Sequence, residues 1–110
     1  MPKYRKLPVV IEAFQMTEER RWDNSEWPDW LHEAWNKPSG VAGSLWIDPN
    51  DPTLSKLIVS TAEGAYSITW DDYIIQGVKG ELYPCKPDIF EATYEKVEGV
   101  PSHVDPRPMD

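Results

Sequence analysis

Most of the nucleophilic and general-base chemistry open to this chain rests on one cysteine, the lysine beside it and two histidines. Cys85 stands between Pro84 and Pro87, with Lys86 alongside. A lysine ammonium favours a thiolate, and His32 and Asp88 can complete a Cys-His-Asp set, because such partners meet in space rather than in sequence. A structural role competes with this one. The position falls where a strand meets a short helix, which suits a small buried side chain, and no glycine-rich oxyanion loop accompanies it. Pro84 and Pro87 then end the strand and start the helix. The structural role is the expected one, and an enzyme dependent on Cys85 ranks last among the functions considered.

Other reactive patterns carry less. Asp71 and Asp72 are adjacent, so on a strand they point to opposite faces and cannot work as an acid/base pair. "GVKG", residues 77–80, has the letters of a nucleic-acid clamp, but strands rather than helices flank it and a hairpin turn is expected instead. One cysteine and two histidines make neither a disulfide nor a zinc cage, and no phosphate-binding glycine loop is present. No metal or cofactor is expected.

Six tryptophans and five tyrosines exceed what so small a core usually takes up. Trp22, Trp46 and Trp70 lie beside polar or loop segments, where rings can line a cleft. An aromatic face stacks on a base and a nearby cation holds its phosphate, so Trp70, Tyr73, Lys79 and Lys86 form the candidate ligand-binding set, between a helix and a sheet. The competing explanation is that the rings only cover a small curved sheet.

Charge and hydropathy narrow the partners. Eleven basic against nineteen acidic residues give a net charge of −8, which argues against direct phosphate-backbone binding. An acidic surface can instead imitate nucleic acid in a basic groove of another protein, or simply maintain solubility. No run of about 18 apolar residues predicts a membrane span, and the apolar stretch before Glu12 is too short for a secretory signal. A soluble, cytoplasmic protein is expected.

The elements that must position these residues follow from periodicity. "LPVVIEAFQ" is apolar on both alternating sets and predicts a well-covered strand inside a sheet, with Pro8 at its start. "SEWPDWLHEAWN" sets Trp27, Trp30, Leu31, Ala34 and Trp35 on one helical face, with Ser25 as cap, Pro28 in the first turn and His32 on the solvated side. "KLIVSTAEGAYSITW" predicts a hairpin turning around Glu63 and Gly64, with Tyr66, Ile68 and Trp70 sharing a face. "DYIIQGVKGELYPC" predicts a second, turning at Val78, Lys79 and Gly80, with Gly77 as a bulge. "PDIFEATY" predicts a short helix turning Ile89, Phe90 and Tyr94 inward, before "EKV" closes the core as a strand. The fold class is α+β: a small, curved, mainly antiparallel sheet or open barrel with one Trp-rich amphipathic helix and a short C-terminal helix. One domain is expected over residues 1–97, followed by a flexible Pro-rich tail over residues 98–110.

Three stretches, "KYRKLPVVIEAFQ", "WPDWLHEA" and above all "DYIIQGVKGELYPCKPDIFEATYEKV", resemble the PGDYG family of small proteins found largely in bacteriophages and prophages. The resemblance covers most of residues 3 to 97. Where the family has Pro-Gly-Asp-Tyr-Gly, this chain has Trp70, Asp71, Asp72, Tyr73 and Ile74, so only Asp72 and Tyr73 correspond. Asp71 replaces a glycine and tolerates a left-handed backbone less readily. The resemblance implies a phage context, hence the cytoplasm of an infected bacterial host, and adds no catalytic residues. Two functions lead on these grounds. One is a non-catalytic accessory protein that sequesters a nucleotide-like small molecule in counter-defence; the other is an acidic inhibitor that binds a host protein. Cations among the tryptophans favour the first, and an acidic face favours the second.

Overall fold

Short apolar and β-branched segments and two glycine-bearing turns divide the chain into the elements of the computed structural model, which describes residues 2–4 and 9–97. In chain order these are β1 (Glu12–Gln15), α1 (Glu18–Trp22), a single 3-10 turn (Asn24–Glu26), α2 (Asp29–Trp35), β2 (Leu45–Ile47), β3 (Leu57–Thr61), β4 (Gly64–Ile68), β5 (Tyr73–Gln76), β6 (Leu82–Cys85) and α3 (Pro87–Thr93). Residues 98–110, the expected tail, lie outside the described residues, as does Pro8.

The architecture is α+β. Its strands form two three-stranded antiparallel sheets, ordered β1-β5-β6 and β2-β3-β4, rather than one continuous curved sheet. No closed barrel forms among the described residues. The division has a local cause. After Ile68 the chain does not double back on β4; a tight turn over Thr69–Asp72 delivers it to the other sheet, where β5 takes the centre.

Register brings the core together. Leu45 lies opposite Val59, and Leu57 opposite Ile68, so the second sheet presents four fully or nearly buried side chains on one face. Ile74 and Leu82 from the first sheet, Leu31 and Ala34 from α2, and the side chains of Met16 and Trp27 complete the cluster. The other face of β5 is covered as well. Ile75 is buried there, directly opposite Tyr83, and α3 packs over that face through Phe90, whose ring stacks on Tyr73 with centroids 3.8 Å apart. Phe90 in turn stacks on Tyr94 at 4.9 Å. This aromatic layer pushes the Tyr83 hydroxyl up to about 12, through burial first and then a hydrogen bond with Tyr94.

Several expectations need correcting. Among the described residues β1 is an edge strand paired only with β5, and Val9 and Val10 precede it, about half exposed and outside the pairing. The helix starts later than its apolar pattern. Ser25 belongs to the 3-10 turn, where Asp23 caps its N–H at 3.1 Å, and Pro28 serves as the N-cap of α2. Trp27 is buried ahead of the helix, its indole donating to the Arg20 carbonyl at 2.8 Å, while Trp30 is only half-buried and donates to Glu12 Oε1 at 2.8 Å. Tyr66 and Ile68 do share a face, opposite Val59 and Leu57, but on this edge strand only Ile68 is buried and Tyr66 stays exposed. Ile89 faces solvent, since the helix aims Phe90 rather than Ile89 at the sheet. Residues 94–97 form no strand, and Val97 is half-exposed.

Both hairpins form. In the first, Ala62 and Glu63 are the loop residues, and the Thr61 hydroxyl accepts from the backbone N–H groups of Glu63 and Gly64. In the second, the Gly77 N–H donates to the Glu81 carbonyl at 2.8 Å, and Gly80 adopts a φ of 83°, a conformation that glycine reaches without Cβ strain.

Candidate functional site

The turn between the two sheets divides adjacent residues between the interior and the surface. Asp71 has a φ of 75°, the left-handed region where the resembled motif carries glycine. Its N–H donates to the Met16 carbonyl at 2.8 Å, and Met16 N–H donates to the Asp72 carbonyl at 2.9 Å, so the turn is laced to the chain leaving β1. Asp72 then points inward and is 2% exposed. Its Oδ2 accepts from the Thr69 N–H at 2.9 Å, the Thr69 hydroxyl at 3.0 Å and Lys86 Nζ at 3.2 Å. Its Oδ1 is buried and has no protein partner. Asp72 and Lys86 stand one position beyond the Tyr73–Cys85 pair, so they extend the β5–β6 register as a cross-strand ion pair.

On the outer side, Trp70 and Asp71 form one wall of an open groove of about 480 Å³. The facing wall is α1 with its cap: Thr17, Glu18, Glu19 and Trp22. The helix is short, but its ends are well chosen. The Thr17 hydroxyl accepts from the Arg20 N–H at 3.2 Å, Glu18 and Glu19 occupy the first turn, and Arg20 and Arg21 the last, in the order that the helix dipole favours. Both arginines are engaged by the protein itself. Arg20 binds the Gln15 carbonyl at 2.9 Å and Glu26 at 3.2 Å. Arg21 donates to the Leu54 carbonyl at 2.7 Å and lies over the rings of Trp22 and Trp35, 4.3 and 5.3 Å from their centroids. Among the described residues no ion pair engages Glu18, Glu19 or Asp71.

A second depression of about 290 Å³ shares Thr17 and Glu19 with the first and adds Gln15, Arg20, Asp23 and Glu26. Hydrogen bonds from Ser25 hold the Asp23 carboxyl below the usual carboxylate range, so it is ionised at neutral pH. The two depressions make one continuous acidic surface around α1. Trp22, 60% exposed, stands at its edge.

The expected ligand-binding residues do not gather in one place. Trp70 lines the groove, and Tyr73, Lys79 and Lys86 do not. Tyr73 is stacked under α3, Lys86 is held by Asp72 and Thr69, and Lys79 occupies the exposed β5–β6 turn, where its N–H is bonded to Glu81 Oε1 at 2.9 Å. Trp46 lies on β2 with its indole donating to the Ser60 hydroxyl at 2.9 Å. A base stacked on Trp70 would therefore set its phosphate among carboxylates, where charge repels it.

Helix α1, unassigned from periodicity, supplies most of the groove. Its signal is present as a hydroxyl cap followed by two acidic and two basic residues, "TEERR", but it lacks the apolar stripe on which longer helices are recognised.

Cys85 shows none of the features of an activated nucleophile. Burial raises the pKa of its thiol, and the carboxylates of Asp72 and Asp88 raise it further. Lys86 Nζ is directed to Asp72 and Thr69 rather than to the thiol. His32 rests against Trp27, ring centroids 5.6 Å apart. In the Thr69–Asp72–Lys86 cluster Lys86 Nζ donates to the Thr69 hydroxyl at 3.0 Å and to Asp72 Oδ2 at 3.2 Å, and the Thr69 hydroxyl donates to the same carboxylate oxygen. The cluster ties the turn to β6.

No family model, curated protein or solved structure matches the chain.

Proposed function

We propose that this chain is a non-catalytic accessory protein that acts by binding another protein through the acidic surface around α1. The observation that carries this reading is the composition of the groove: two tryptophans and three carboxylates free of ion pairs among the described residues, with the neighbouring arginines already engaged internally. A net charge of −8 adds long-range attraction towards a basic partner. The resemblance to the PGDYG family implies an infected bacterial cell as the setting, where an acidic protein of this size could occupy a basic surface of a host factor as a nucleic-acid mimic.

The test compares the parent chain with a charge-reversed variant carrying Glu18→Lys, Glu19→Lys and Asp71→Lys, each immobilised and exposed to bacterial extract. At least one protein should be retained by the parent and lost by the variant, and more weakly retained as salt rises. The reading fails if no retained protein depends on these carboxylates. A nucleotide that stabilises the parent by several degrees in a thermal melt would replace it with the small-molecule reading.

A further inference from the structure

The groove between α1 and the Trp70–Asp71 turn combines two kinds of cation recognition. Indole faces attract a guanidinium or ammonium group through the ring quadrupole, and carboxylates attract it through charge and hydrogen bonds. Trp22 already demonstrates the first within the molecule, since the Arg21 guanidinium lies 4.3 Å from its ring centroid. Arg21 donates to the Leu54 carbonyl, and among the described residues it makes no ion pair with Glu18, Glu19 or Asp71. Trp70 forms the opposite wall with Asp71 beside it. A groove of about 480 Å³ is larger than one side chain needs and admits the flanking backbone of an extended segment.

We propose that this groove seats an arginine side chain from a basic segment of the partner protein, its guanidinium between Trp70 and the carboxylates of Glu19 and Asp71. Arginine fits better than lysine because its planar group can lie flat on an indole while its edge donates two parallel hydrogen bonds to a carboxylate. The proposal rests on the protein-binding reading above and names the partner chemistry at that site.

The experiment titrates the full chain with three peptides of equal length: Gly-Arg repeats, Gly-Lys repeats and Gly-Glu repeats. Tryptophan fluorescence and calorimetry report binding at low and at physiological salt. The arginine peptide should bind most tightly and the glutamate peptide not at all. Trp70→Ala should weaken the arginine peptide about tenfold, and Glu19→Gln or Asp71→Asn by several-fold. Trp70 also packs against the core, so Trp22→Ala, at an exposed position, serves as the second ring variant; it loses the Arg21 contact as well, and should weaken binding by more than the small fall in its melt accounts for. Equal binding of the arginine and lysine peptides, or unaltered arginine binding by both ring variants, would leave only general electrostatics and overturn the proposal. The extract experiment separates the two levels. A protein retained through the carboxylates but indifferent to Trp22→Ala and Trp70→Ala sustains protein binding and sinks the arginine seat. Ring-dependent arginine-peptide binding without any carboxylate-dependent protein in extract sustains the seat and sinks the proposed function.

Discussion

Replacing Asp72 with Ala should destabilise the protein by about 1.5–2 kcal/mol, a magnitude that follows from three bonds and one unpaired atom. The two bonds from Thr69 end on a buried carboxylate oxygen and contribute about 1 kcal/mol each net of water. Lys86 adds only about 0.5 kcal/mol, because its side chain is 55% exposed and water screens the pair. Against these stands the buried, unpartnered Oδ1, whose removal offsets about 1 kcal/mol. The small void left behind brings the total back to the stated range. Urea unfolding followed by tryptophan fluorescence is the assay, and the midpoint should fall by roughly 0.5–2 M. Asp72→Asn keeps an acceptor for the Thr69 N–H and should cost less than half as much, while Lys86→Met should cost no more than about 0.5 kcal/mol. If Asp72→Ala melted within 0.5 kcal/mol of the parent, the turn would not depend on its carboxylate. If Lys86→Met were as damaging as Asp72→Ala, the ion pair rather than the turn would be the stabilising element.

Leu31→Ala should cost about 3–4 kcal/mol and Trp30→Ala distinctly less, because Leu31 is fully buried and the Trp30 ring is partly solvated; equal losses in urea melts would show that the ring contributes more than its burial indicates. Backbone and hydroxyl donors from Lys56, Thr53 and Ser55 hold the Asp51 carboxyl well below its ordinary range. Its stabilising contribution is therefore full above about pH 4, where the unfolded-state carboxyl is also ionised, and declines as the pH falls further. Asp51→Ala should flatten the acid limb of a stability–pH curve below pH 4, and an unchanged limb would refute the assignment. Cys85 should react slowly with iodoacetamide at neutral pH in the folded protein, its thiol pKa being raised, and rapid labelling with loss of partner binding would reverse that conclusion. Asp71→Gly should raise stability by about 0.5–1 kcal/mol by relieving a left-handed aspartate, measured by thermal melt; a loss of stability would mean that the Asp71 side chain supports the turn.

Much of the fold is legible wherever a turn fixes the register. A hairpin turning at Lys79 pairs Tyr73 with Cys85, and one step further Asp72 with Lys86, seven positions on either side of that lysine. The Asp72–Lys86 bond thus follows from the placement of one turn. The short helix over Pro87–Thr93 is legible for a similar reason, since Pro87 sits at a first-turn position that tolerates a missing N–H. Burial at the margins is less legible. The apolar run containing Val9 and Val10 reads as an inner strand, but only four residues find a partner, and hydropathy does not reveal which strand edge stays open. Ile89 and Phe90 are both apolar and adjacent, and the choice between them depends on Tyr73, a contact made only once α3 folds back on β5. The groove is hidden for a third reason. Its two walls lie about fifty residues apart in sequence, one of them on a helix of five residues without an apolar stripe.

The same turn accounts for both the core contact and the groove wall, and this constrains how the surface can change. A chain that leaves β4 at Ile68 and must enter β5 at Tyr73 on the other sheet has four residues in which to reverse direction. The buried Asp72 closes that reversal on Thr69, and a left-handed residue at position 71 completes it. Glycine would fill position 71 with less strain, yet glycine offers the groove no charge. An aspartate there costs about 1 kcal/mol of backbone conformation while setting a carboxylate beside Trp70, facing Glu18 and Glu19. Among the described residues no internal hydrogen bond or ion pair of the Asp71 side chain offsets that cost, although aspartate is one of the few residues besides glycine that enters this region. On the proposed reading Asp71 is the residue that would meet a cationic partner, and Asp72, one residue further on, closes the turn that presents it.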